Sequence, residues 1–193
     1  MLQLRPLTIF LFLSLISYSG DASPDDVVRS SCSHASYPTI CLRTLSSYKG
    51  PAKTPSDLAQ AAVQVSLSRA RKLSDYLAQL SSTLNKGKGR ERTALTDCVE
   101  QISDSVDDLS KTLAELKHLR GDTFQFQMSN AETWTSAALT NEDTCLDGFE
   151  GVDSKVKTDV KKKITNVARV TSNALYMIKR LDESRDKPRR LKP

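Results

Sequence analysis

Few side chains in this 193-residue chain could do chemistry: four cysteines, two histidines and one run of carboxylates. Asp97, Glu100, Asp104, Asp107 and Asp108 are numerous enough for a general acid and a general base, but that pairing needs an apolar pocket to keep one acid protonated. Their spacing argues otherwise. With Ile102, Val106 and Leu109 taken as the inward side of a helix, Glu100 and Asp104 fall one turn apart on the outward side. Such an acidic strip is either a solvated face or a docking surface. His34 and His118 have no ligand-spaced partner, and neither an HExxH nor a cysteine–histidine zinc pattern occurs, so surface or capping roles suit both. Gly87-Lys88-Gly89 lacks the preceding strand and the Lys-Ser/Thr of a phosphate-cradling loop, and reads as a linker. The expectation is a protein with no metal, no cofactor and no catalytic residues.

The cysteines point to a compartment. Residues 1–22 hold one cation, Arg5, then an apolar run at 7–16, then small residues at Ser17, Ser19, Gly20 and Ala22. That order is expected of a cleaved secretory signal, with the cut after Ala22 or, alternatively, after Ser19. The run is shorter than the roughly 20 apolar residues of a membrane span, and no membrane association is expected. In an oxidising compartment an even cysteine count reads as disulfides, which leaves no thiol nucleophile.

The elements that must position these groups are helical. Residues 23–185 make one domain of ordinary size, and 38% apolar residues, 26% charged residues and seven glycines favour an all-α protein over a sandwich or barrel. A short helical entry is broken at Pro38, so that Cys32 and Cys41 can staple a small hairpin. Thr54-Pro55-Ser56-Asp57 supplies a cap, a first-turn proline and a carboxylate, and opens a long helix through Leu58, Ala62, Val65, Leu73, Leu77, Leu80 and Leu84. After a flexible break at 85–89, Leu95, Val99, Ile102, Val106, Leu109, Leu113 and Leu116 form a second seam that Gly121 is placed to end. A third helix is expected from the capping box at Ser129-Asn130-Ala131-Glu132, carrying Trp134, Ala137, Ala138 and Cys145. A lone tryptophan there is either core or a partner anchor. Val156, Val160, Ile164, Val167, Thr171, Ala174, Ile178 and Leu181 give a fourth seam, which fades into a basic tail at 186–193.

Four long helices with short links predict an up-and-down four-helix bundle with an N-terminal disulfide-stapled hairpin. Of the three possible pairings, this layout favours Cys32 with Cys41 and Cys98 with Cys145, because the start of one antiparallel helix lies beside the end of the next. Closing the longer loop stabilises by roughly 3 to 4 kcal/mol on the chain-entropy model. The net charge of +5 sits partly in Lys161, Lys162 and Lys163 and in the tail. Elsewhere the charges alternate in sign, which does not suit nucleic acid. The basic runs are a solvated face and a disordered end, or else a weak attachment to an acidic polysaccharide such as pectin.

The strings Cys32-Ser-His-Ala-Ser-Tyr-Pro-Thr-Ile-Cys41, Ala94-Leu-Thr-Asp-Cys98-Val-Glu100, Asp104-Ser-Val-Asp-Asp-Leu109, Thr133-Trp-Thr-Ser-Ala-Ala-Leu-Thr-Asn-Glu-Asp-Thr-Cys145-Leu-Asp-Gly-Phe149 and Ser172-Asn-Ala-Leu175 together resemble the plant invertase and pectin methylesterase inhibitor family. The resemblance implies a secreted plant inhibitor, located in the apoplast or cell wall, that blocks a carbohydrate-active enzyme as a one-to-one complex. It implies the same fold and the same two disulfides. The stretch from Trp134 to Phe149 looks more like the pectin methylesterase inhibitors and the inhibitor-like pro-regions of the esterases, the Pro-Lys-Phe tripeptide of many invertase inhibitors is absent, and with the chain ending at Pro193 a free inhibitor is expected rather than a pro-region. Pectin methylesterase is therefore the expected target, with acid invertase of cell wall or vacuole as the alternative. By motif position the implied contacts are Glu100 and Asp104 on the second helix, Thr144 and Asp147 on the third, and, more weakly, Asn141 and Glu142. A cytokine-like or lipid-binding bundle would share the signal and seams but not these strings.

Overall fold

A computed structural model of the chain describes residues 23–83, 89–152 and 155–186. Among them are six helices and no strand: α1 (Pro24–Cys32), α2 (Pro38–Ser46), α3 (Pro55–Thr83), α4 (Arg90–Lys117), α5 (Phe124–Asp147) and α6 (Lys155–Asp186). The fold is the expected helical bundle with a stapled hairpin. The expected signal at 1–22, Leu84, most of the break at 85–89 and the basic tail from 187 onward lie outside the described residues.

Local chemistry sets the boundaries. Pro38 and Pro55 each occupy a first helical position, where a missing N–H costs nothing. At the start of α3 the Asp57 N–H donates to Thr54 Oγ1 at 3.1 Å and the Thr54 N–H donates to Asp57 Oδ2 at 3.0 Å, a reciprocal cap. Cys32 and Cys41 are joined, with Cα atoms 5.5 Å apart, and tie α1 to α2. Asn173 of α6 then grips the hairpin, accepting from the Tyr37 N–H at 2.9 Å and donating to the Tyr37 carbonyl at 3.0 Å.

Two boundaries differ from expectation. The second long helix ends at Lys117, where the His118 N–H turns back to the Glu115 carbonyl, and Gly121 lies beyond it. Positive φ among the described residues is confined to Gly89 and Gly151, so Gly121 does not supply a left-handed cap. The third long helix starts at Phe124 rather than at Ser129. Gln127 explains this, because its side-chain oxygen accepts from the Arg120 N–H at 2.8 Å and from the Thr123 hydroxyl at 3.0 Å, organising the turn one step earlier. Phe124 and Met128 are also buried, and they continue the inward stripe of Ala131, Ala138 and Cys145.

The four long helices form a ring in which each packs on its sequence neighbour and α3 packs on α6. Cross-links show antiparallel register: Gln60 reaches the Leu116 carbonyl, Ser66 meets Thr171, and Gln127 and Asn130 both donate to Glu115. The interior is filled by aliphatic side chains such as Leu77, Leu95, Ile102, Leu109, Ile164 and Ile178, each fully buried and each stabilising by about 1.5–3 kcal/mol. None of the described helices is long and apolar enough to cross a membrane.

Candidate functional site

The second disulfide fixes the register of α4 against α5. Cys98 lies near the start of α4 and Cys145 near the end of α5, their Cα atoms 4.5 Å apart, and both are buried. From this pin the two helices run antiparallel, so residues just after Cys98 lie beside residues just before Cys145. Thr112 and Thr135 meet deeper in the same seam, with hydroxyls 3.2 Å apart.

Of the residues singled out from sequence, Glu100 and Asp104 are exposed on α4, and Thr144 and Asp147 are exposed on α5. The Thr144 hydroxyl donates to the Thr140 carbonyl at 2.8 Å, which fixes its rotamer and leaves the oxygen's acceptor side outward. Asn141 is half-buried, with its Nδ2 at 3.5 Å from Asp108 Oδ2. Asp108 also takes Lys111 Nζ at 3.2 Å. That pairing separates Asp108 from the rest of the acidic strip, leaving Asp97, Glu100, Asp104 and Asp107 as its exposed members. Trp134 is part-exposed and lies outside the core. Trp134, Ala137, Asn141 and Thr144 fall at spacings of three and four, one stripe of α5. Five of the six residues thus lie at exposed or half-buried positions of α4 and α5, within six residues of the bridge in sequence.

Glu142 does not join them. Its side chain is fully buried, so it offers no surface to a partner. Ser66 of α3, Ser105 of α4, Glu142 of α5 and Thr171 of α6 are all at zero exposure, one residue from each helix of the ring. Ser105 and Thr171 both donate to Glu142 Oε1 at 2.9 Å, and Thr171 also lies 2.7 Å from the Ser66 hydroxyl. Glu142 Oε2 has no hydrogen-bond partner among the described residues. Burial pushes this carboxyl up to about 7, against the two hydroxyl donors that favour its charged form. The sequence did hold a signal for this. Glu142 is four residues after Ala138 and three before Cys145, both inward positions.

His34 and His118 are both exposed. His118 Nδ1 lies 2.9 Å from the Ala114 carbonyl, an end-of-helix contact, and His34 Nδ1 lies 2.8 Å from the Ser33 hydroxyl. No group of three or more His, Cys, Asp or Glu side chains among the described residues could hold a metal ion. The arrangement of the α4–α5 face suits binding by shape and hydrogen bonding.

Comparison with known proteins matches this geometry to a family. The model described as plant invertase/pectin methylesterase inhibitor matches residues 26–177. Pectinesterase inhibitor 3 of Arabidopsis thaliana is 58% identical over 171 residues, covering 85% of this chain and 83% of that protein. A 21 kDa protein of Daucus carota is 41% identical over 180 residues, covering 88% of this chain and 91% of its own length. The crystal structure of a mutant form of a pectin methylesterase inhibitor from Arabidopsis shares the fold, with a TM-score of 0.62 at 22% identity over 77% of this chain and 92% of that one.

Proposed function

Because this chain belongs to the plant invertase/pectin methylesterase inhibitor family, we propose that it is a secreted inhibitor of pectin methylesterase, acting outside the cell in the wall space. The observation that carries this reading is the 58% identity, along most of both chains, to a protein named as a pectinesterase inhibitor. The bundle binds the esterase one-to-one through the α4–α5 face and covers its substrate cleft. Glu100, Asp104, Asn141, Thr144 and Asp147 make the polar contacts, and Trp134, half-sheltered on the same stripe, is the apolar anchor. Aromatic anchors beside polar groups dominate interfaces of this kind. Inhibition is by occlusion, with no chemistry on the inhibitor.

The Cys98–Cys145 bridge serves this function by holding the α4 and α5 contributions in register. A partner that must be met by two helices at once gains from contacts already in place, since less ordering is left to binding.

The test is a paired titration of the oxidised protein against a plant pectin methylesterase and an acid invertase at pH 5 to 6. Loss of esterase activity alone, complete at one equivalent, is the expected result. Loss of invertase activity instead would keep the fold and overturn the target. Inhibition of neither would refute the inhibitor reading altogether.

A further inference from the structure

On the side of the ring away from α4 and α5, a groove of about 890 Å³ runs between α3 and α6. Seven of its fourteen lining residues are Lys or Arg, and Asp159 is its one acid. Lys72 on α3 and Lys161, Lys162 and Arg169 on α6 are exposed. Between these rows lies Arg69, half-buried, whose Nη1 donates to the neutral Asn166 Oδ1 at 2.6 Å. Burial, and after it the nearby Arg43, both work against the charge on Arg69. With seven cations and one acid in the lining, the groove carries an excess of positive charge. Lys163 sits with its ammonium 4.5 Å from the centre of the Tyr76 ring, on the groove wall.

The shape of this charge is linear. From Lys161 to Arg169 the α6 cations extend about 12 Å at the helical rise, with Arg69 and Lys72 answering from α3. A compact anion such as phosphate would use two or three of them. A chain carrying an acid on each unit would use both rows, with the Arg69 fork suited to a carboxylate. Removal of methyl esters from pectin leaves such a chain, so the choice among polyanions rests on the inhibitor reading above. The groove itself does not.

We propose that the α3–α6 groove binds a stretch of linear polyuronate, the free-acid form of the pectin backbone, while the α4–α5 face remains open to the esterase. The two sites lie on opposite sides of the ring, so one molecule can hold the polymer and the enzyme together. That geometry concentrates the inhibitor where esters have already been removed.

The experiment uses the full oxidised chain and its Lys161→Glu/Lys162→Glu variant, both substitutions being at exposed positions. Each is titrated calorimetrically with a long oligogalacturonate and with the same oligomer fully methyl-esterified, and each is assayed separately for esterase inhibition. The wild type is expected to bind the free acid and not the ester, with affinity falling as salt rises. The variant is expected to lose about tenfold or more in polymer affinity, the direction set by reversing two charges in a positive site, with its inhibition curve unchanged. Equal binding by variant and wild type, or equal binding of acid and ester, overturns the proposal whatever the inhibition curves show. Tighter retention on phosphatidylserine vesicles than on polyuronate also overturns it and reassigns the groove to a membrane surface. Failure of the wild type to inhibit would count against the inhibitor reading, and the polymer titration reads out independently of it.

Discussion

Across α4 and α5 the chain places a disulfide, a pair of buried threonine hydroxyls and a carboxyl–serine contact, and the surface above them is acidic and polar. Across α3 and α6 there is no covalent tie. One buried hydroxyl pair and the Arg69–Asn166 bond join the helices there, and the surface above is basic. The difference suits the partners proposed for each face. Recognition of a folded enzyme depends on register, since a shift of one contact misplaces the rest, whereas attraction of a flexible polyanion depends mainly on potential. A bundle can therefore lock one seam and leave the opposite one to charge.

Removing the lock tests this most severely. Cys98→Ala/Cys145→Ala is expected to lower stability by roughly 4 kcal/mol on the chain-entropy model, against about 2.5 kcal/mol for Cys32→Ala/Cys41→Ala. Urea denaturation of both variants would rank them. Inhibition should fall with the first pair even at temperatures where the protein stays folded, while polyuronate affinity holds. If both functions declined together in the still-folded variant, the two faces would not be separately built.

The second effect comes from the layer beneath the lock. Glu142 is raised from an ordinary value of 4.5 to about 7 by burial, so between those values the folded protein keeps a proton that the unfolded chain has released. The contribution of Glu142 to stability is then largest below about pH 4.5, falls through that window and levels off above 7. The total loss is on the order of 3 kcal/mol. Glu142→Gln keeps the shape without the charge, and its denaturation midpoint should lack this slope from pH 5 to 7. An unchanged slope in the variant would move the titration to another group.

A smaller effect separates the faces functionally. Glu100→Lys with Thr144→Trp is expected to weaken esterase inhibition by about 1 to 3 kcal/mol, as for other interface hot spots. Helix content by circular dichroism and polyuronate binding should both be unaffected. Full inhibition by this double variant would place the enzyme contact elsewhere on the ring.

The reach of the sequence differs between these features for physical reasons. The Thr54–Asp57 cap and the Cys32–Cys41 staple are local and most of each apolar seam is periodic, so these were legible, and Cys98–Cys145 followed from the antiparallel layout of the seams. Phe124 was missed because Ser129 and Asn130 mimic a helix start, while the side chain that sets the true start, Gln127, acts through a tertiary turn. Glu142 was read as a weaker surface contact from motif position, although its spacing from Ala138 and Cys145 was inward. On the basic side, the run at Lys161, Lys162 and Lys163 was visible, but Arg69 and Lys72 join it from the adjacent helix α3, some ninety residues earlier. The proposed contact residues followed from motif position, and burial then set Glu142 apart from the other five.

The smallest effect compares the two sides within the buried layer itself. Ser66 reaches the layer from the α3 side by bonding Thr171, and Ser105 reaches it from the α4 side by bonding the Glu142 carboxyl. At pH 5, below the raised Glu142 value, both are bonds between neutral groups, and Ser66→Ala and Ser105→Ala should each cost about 1 kcal/mol. At pH 8 Glu142 is ionised, and of the two serines Ser105 alone donates directly to the charge. Its loss should then rise to about 2 kcal/mol, whereas the cost at Ser66 stays nearly level because Thr171 stands between it and the carboxylate. The sign is fixed by the same bond, since a donor to the carboxylate lowers its proton affinity and removing that donor lets the folded state hold the proton longer. Denaturation of both variants at the two pH values gives the four numbers. Parallel losses at Ser66 and Ser105 across the pH range would mean that the layer responds as one unit, and that the asymmetry between the two faces stops at the surface.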